Sequence, residues 1–134
     1  MTGDIIRGTI YALVIGLVLN LILFFVGNGI AGPIEGVIGG TLQEVPVIAV
    51  IVATLVSVGF AGAGVYILSR MSEDFLNTAM WITLIVALLT LIMPYSGTEN
   101  SASFATLGLM HVVVGMAILF GLINYVWRRK ACLD

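Results

Sequence analysis

Apolar residues run along this chain in four long blocks, and its polar residues gather between them. The blocks cover about residues 5–26, 45–68, 75–94 and 104–127. A helix rises about 1.5 Å per residue, so a block of roughly 20 residues matches the ~30 Å hydrocarbon core of a bilayer. The pattern predicts four transmembrane helices. Short connections between them favour antiparallel neighbours, giving an all-α, four-transmembrane-helix bundle that runs up-down-up-down as one membrane domain. The fourth block closes on Tyr125 and Trp127, aromatic residues suited to headgroup depth, and stops at Arg128-Arg129-Lys130. The first block also invites a secretory reading, with residues 29–32 as a cleavage site. Its apolar core is longer than such leaders carry and Asp4 offsets Arg7, so it is read as a span.

Within the blocks, small residues recur at helical spacing. Span one carries Gly8, Ala12, Gly16 and then Asn20, each four residues apart. Span two carries Ala49, Ala53, Ser57 and Ala61, and span three Ala79, Thr83 and Ala87. Span four carries Gly108 and Gly115, with Ala117 and Gly121. Lipid offers no hydrophobic drive for helix association, so helices meet where small side chains let backbones approach. These rows predict the packing faces. Enlarging Ala53, Ser57 or Gly115 to leucine is expected to disrupt packing, within the bundle or between copies of it.

The connections are less regular. Residues 27–44 are too apolar for a disordered loop and are expected to lie along the outer surface as an interfacial or partly re-entrant segment. Thr41 and Glu44 have capping-box spacing ahead of Pro46, so span two is expected to start there. Ser72 is a candidate N-cap for span three, with Glu73 and Asp74 in its first turn, and serines are expected to cap span four.

Composition agrees with the blocks. Of 134 residues, 60% are hydrophobic and only 9% charged, against about 25% charged in a soluble domain. The net charge of −2 gives no footprint for nucleic acid. The five cations precede span one (Arg7), follow span two (Arg70) or follow span four (Arg128, Arg129, Lys130). The opposite connections hold only Glu35, Glu44 and Glu99. That asymmetry places both termini in the cytoplasm and the protein in the cell membrane. A single cysteine, Cys132, allows no internal disulfide and no metal cluster, and reads as a cytosolic thiol or, beside the basic run, a lipidation site.

Candidate chemistry is sparse. Counting from each span's midpoint, Asn20, Thr54, Thr90 and His111 fall within a few ångströms of one depth in the outer half of the bundle. Thr54 is the least well aligned, because it lies beside the Ala53 row rather than on it. Asn20, Thr90 and His111 are expected to meet in one interior cluster, with Glu44 toward its outer mouth. His111 is the only histidine, and Gly108 and Gly115 share its helix face and leave room beside the ring. It reads as a structural hydrogen-bonding group, as a proton- or ligand-handling group, or as an axial ligand to haem or chlorin. No phosphate loop, nucleophile elbow, metal-ligand cluster or paired carboxylate is present, so no enzymatic activity and no resident cofactor is expected.

With Asn20 in span one and Met110-His111 in span four, the chain resembles the small four-helix prokaryotic membrane families of unknown function. The resemblance implies an integral membrane protein and supplies no catalytic residue. The expected function is non-enzymatic: a subunit packing with copies of itself or with a larger membrane complex. The rival readings are a binding or transport protein with an outward-facing polar pocket, and a haem or chlorin carrier.

Overall fold

A computed structural model of the chain describes residues 2–38, 40–71, 74–90, 92 and 100–131. Its elements in order are α1 (Thr2–Ala31), β1 (Glu35–Ile38), β2 (Thr41–Glu44), α2 (Val47–Met71) and α3 (Phe75–Thr90). A last continuous helix follows: α4 (Ser101–Ala117), a π-helical segment (Ile118–Ile123) and α5 (Asn124–Ala131). Three helices, α1, α2 and the last one over Ser101–Arg128, are long and apolar enough to cross a membrane. α3 is apolar too, but its 16 residues reach only about 24 Å. The remainder of the 75–94 block lies outside the described residues, apart from Ile92. So do Ser72, Glu73, Glu99 and Cys132.

Local chemistry sets the helix ends. α1 runs five residues past the expected 26 and ends where Gly32 takes a φ of +83° and donates to Asn28 O at 3.2 Å. The left-handed turn suits glycine, which has no Cβ to clash there. Asn28 Oδ1 accepts from Ile34 N at 2.9 Å and turns the chain back.

Within the 27–44 connection the chain forms a β-hairpin. β1 and β2 pair antiparallel from Glu35 opposite Glu44 to Ile38 opposite Thr41. Gly40, at φ +85°, leads into β2, a conformation that suits glycine. Cross-strand bonds satisfy backbone groups that an irregular segment would leave unpaired near lipid. The capping box is thereby overturned. Thr41 and Glu44 belong to β2, and α2 starts after Pro46, whose carbonyl accepts from Ala49 N at 2.9 Å. The serine caps also give way to Asn100, whose Oδ1 accepts from Ala102 N at 2.9 Å. Ser103 Oγ instead accepts from Glu35 N at 3.1 Å and ties the hairpin to α4.

α1 lies between α2 and the last helix and runs antiparallel to both. Against α2, the contacts pair Thr9 with Gly62 and Gly16 with Thr54. Against the last helix they pair Gly8 with Leu122, Ala12 with Gly121 and Gly16 with Ala117. Gly8, Ala12, Gly16 and Asn20 are all buried along this face. The closest backbone approach among these is at Gly121, where a Cβ would lie 2.7 Å from Ala12 Cα. The π-helical segment makes that fit. Asn124 N donates to Leu119 O, five residues back, and the widened turn buries Gly121, Leu122 and Ile123 in succession. A regular helix would swing one of three such neighbours outward.

In α2 the packing face is one position later than the small-residue row suggests. Val50, Thr54, Val58, Gly62 and Val65 are buried. Ala53 and Ser57 are exposed, about 100° round the helix. α3 buries Phe75 and Ala79 at its start. Farther along, it approaches α4 at Ala87, whose Cβ lies 3.1 Å from where a Gly115 Cβ would be. The antiparallel order puts Arg7, Arg70 and Arg128 at one end of the molecule and the hairpin at the other.

Candidate functional site

A cleft opens where α2 and α3 diverge. α4 forms its back wall, Asn20 of α1 reaches it from behind, and Gly36 and Val37 of the hairpin border its far end. It has a volume of about 780 Å³ and extends along α2 from Ala49 to Leu68. That stretch spans roughly 28 Å of helix. The exposed side of α2, with Ala53, Ser57, Phe60 and Gly64, supplies one wall. Ile82, Val86 and Ala87 of α3 supply the other.

Among the described residues the polar groups in this wall are Asn20, Ser57, His111 and the threonines Thr54, Thr83 and Thr90, with no carboxylate, lysine or arginine. Asn20 is only 3% exposed, and its Nδ2 donates to Thr54 Oγ1 at 2.9 Å. Thr54 Oγ1 gives its own proton to Val50 O at 2.8 Å. A hydroxyl has one proton, so the amide must present its NH₂ to Thr54 and leave Oδ1 turned away. That oxygen is shielded and has no hydrogen-bond partner among the described residues. Thr83 donates to Ala79 O at 2.8 Å and Thr90 to Ala87 O at 2.9 Å. His111 Nδ1 lies 2.7 Å from Leu107 O. A carbonyl only accepts, so Nδ1 carries a proton and, in the neutral ring, Nε2 keeps its lone pair.

Four of the residues expected at one depth, Asn20, Thr54, Thr90 and His111, line this one cleft. Thr54, the least well aligned of them by sequence, is Asn20's direct partner. The expected placement of Glu44 at the mouth is corrected: it is exposed on β2 and borders a separate shallow groove with Phe25, Pro33 and Pro46. Ala53 and Ser57 are exposed on the cleft wall and do not pack within the chain, while Ala61 is half-buried against the core. Gly108 is half-buried and Gly115 meets α3. Thr83 went unnoticed as a polar lining residue, although its place between Ala79 and Ala87 in the small-residue row of α3 was the available signal. Among the described residues no group of three His, Cys, Asp or Glu side chains could hold a metal ion.

Comparison with protein families gives one match. A family model described as "Family of unknown function (DUF6069)" matches residues 2–128. The chain belongs to the DUF6069 family. The match takes in all four helices and the hairpin, so the cleft lies wholly within the DUF6069 region. As the resemblance implied, DUF6069 brings no established activity and no assigned residue. No curated protein and no solved structure matches the chain.

Proposed function

We propose that this chain is a non-enzymatic, multi-pass protein of the cell membrane that holds an apolar small molecule drawn from the bilayer in the α2–α3–α4 cleft. Four spans run up-down-up-down, with the basic end and both termini in the cytoplasm. The observation that carries the reading is the cleft itself: about 780 Å³, with apolar walls and, among the described residues, a few uncharged polar groups. Small-molecule sites typically have ~300–1,000 Å³ and this kind of lining. Purification in a mild detergent, followed by solvent extraction and mass spectrometry, tests it. A stoichiometric lipophilic compound that is absent from an Ala53→Trp variant is the expected result. Wild-type protein that yields only the bulk lipid mixture, unchanged by that variant, would overturn the reading.

A second reading, a homo-oligomer or a subunit of a larger membrane complex, is favoured by one observation. Ala53, Ser57 and Gly64 face the cleft instead of packing on a helix of their own chain, and small residues are the usual contact surface for another span. The size of the solubilised particle separates the two. A visible spectrum with a Soret band would instead assign the cleft to a tetrapyrrole held by His111.

A further inference from the structure

The polar lining of the cleft is one-sided in its hydrogen bonding. Each threonine in it commits its only proton to a carbonyl of its own helix: Thr54 to Val50, Thr83 to Ala79 and Thr90 to Ala87. Their oxygens therefore offer lone pairs and no proton. His111 commits its Nδ1 proton to Leu107 O and retains an acceptor at Nε2, which has no partner among the described residues. Asn20 Oδ1, in a side chain 97% buried by its 3% exposure, is an acceptor without a partner among the described residues. Donors left over are the Ser57 hydroxyl and the second amide proton of Asn20. Among the described residues acceptors dominate, and none that lines the wall carries a fixed charge.

We propose that the cleft is specific for an uncharged, membrane-soluble molecule bearing a hydrogen-bond donor, a lipid hydroxyl or amide N–H, which donates to the acceptors that His111 and Thr90 present to the cleft. This rests on the cleft being a ligand site. Among the described residues no carboxylate or cation lines the cleft, so a charged head would find no partner among them, and an unpaired charge in apolar surroundings is strongly disfavoured. Esters, ethers and ketones bring only further acceptors and would leave these acceptors unsatisfied. A second copy of the chain is a poor occupant for the same reason. The outward positions of the described helices are apolar at this level: Ile15, Val18, Leu19 and Ile22 on α1, with Leu109 and Val112 on α4. The indole and phenol donors of Trp81 and Tyr11 lie toward the basic end instead. A neighbouring span would thus bring hydrocarbon to a wall that asks for protons.

The test uses the full chain in nanodiscs, titrated with 1-hexadecanol, its methyl ether, methyl palmitate and hexadecyltrimethylammonium, with binding read by native mass spectrometry. Hexadecanol is expected to bind about tenfold more tightly than the ether, the size of one hydrogen bond's contribution. His111→Leu should bring the alcohol down to the ether's affinity while ether binding is unchanged. Thr90→Val should weaken binding of the alcohol in the same direction, and keeps the test decisive if His111→Leu does not fold. Equal binding of alcohol and ether, both blocked by Ala53→Trp, would overturn the donor specificity and leave the ligand site standing. Preference for the ester would overturn it by reversing the polarity. If no probe binds, or if the particle is a multimer with the cleft closed, the ligand reading fails and this inference with it.

Discussion

Asn20 and Thr54 are joined across the α1–α2 interface by a buried 2.9 Å hydrogen bond from Nδ2 to Oγ1. Thr54 in turn donates to Val50 O at 2.8 Å, so the polarity of the pair is fixed. Between transmembrane helices such a bond contributes on the order of 0.6–2 kcal/mol. A double-mutant cycle with Asn20→Leu and Thr54→Val should return a coupling of about that size. Thr54→Val should be the more damaging single change, because it leaves both ends of the buried amide without a partner. Unfolding measured in detergent by thermal melting or denaturant gives the values. Additive effects would mean that the pair does not hold the interface.

Gly121 and Gly59 separate close approach from composition. A Cβ on Gly121 would lie 2.7 Å from Ala12 Cα, whereas one on Gly59 meets nothing within 4 Å. Gly121→Ala should destabilise the protein by about 1–3 kcal/mol, as overpacking does. Gly59→Ala should be neutral, or stabilising by up to about 1 kcal/mol through helix propensity. Paired melting curves check both directions.

The register of α2 can be tested in the same way. Ala53→Leu and Ser57→Leu enlarge the cleft wall and should leave stability within about 0.5 kcal/mol, the usual range for positions that make no packing contact. Gly62→Leu drives a side chain into Thr9, where even a Cβ would come within 2.5 Å of Oγ1, and should cost about 1–3 kcal/mol. A stable Gly62→Leu protein beside unstable Ala53→Leu and Ser57→Leu proteins would return the packing face to the row read from sequence.

The contrast between α1 and α2 explains what the sequence made legible. In α1, Gly8, Ala12, Gly16 and Asn20 stand out against isoleucine, leucine and valine, and the buried face follows them. In α2 the buried positions include Val50, Val58 and Val65, and the outward ones include Val52, Val56 and Ile67. Lipid and protein interior are equally apolar, so hydropathy cannot separate these faces, and the small-residue row pointed to the open side. The shared depth of Asn20, Thr54, Thr90 and His111 was legible because helical rise is constant. Which threonine bonds Asn20 depended on a 100° rotation that only packing decides. The hairpin had its signal in Gly39-Gly40 between β-prone residues, but the surrounding apolar run masked it. The π-helical segment had none, since it arises from the approach of Ala12 to Gly121.

Topology is open to a direct check. With Arg7, Arg70 and Arg128 at one end of the molecule, cysteine labelling of intact cells in a Cys132→Ser background should find Gln43→Cys in the hairpin accessible from outside, and Arg128→Cys protected until the cells are permeabilised. The reverse pattern would invert the orientation without altering the fold.

The central claim is that the α2–α3–α4 cleft is filled by a small molecule, and the native mass of the solubilised chain tests it most directly. The account predicts a 14.2 kDa chain carrying one small lipophilic adduct that survives gentle activation in the wild-type protein and disappears in Ala53→Trp. A bare chain, or a multimer without adduct whose assembly Ala53→Trp abolishes, would contradict it.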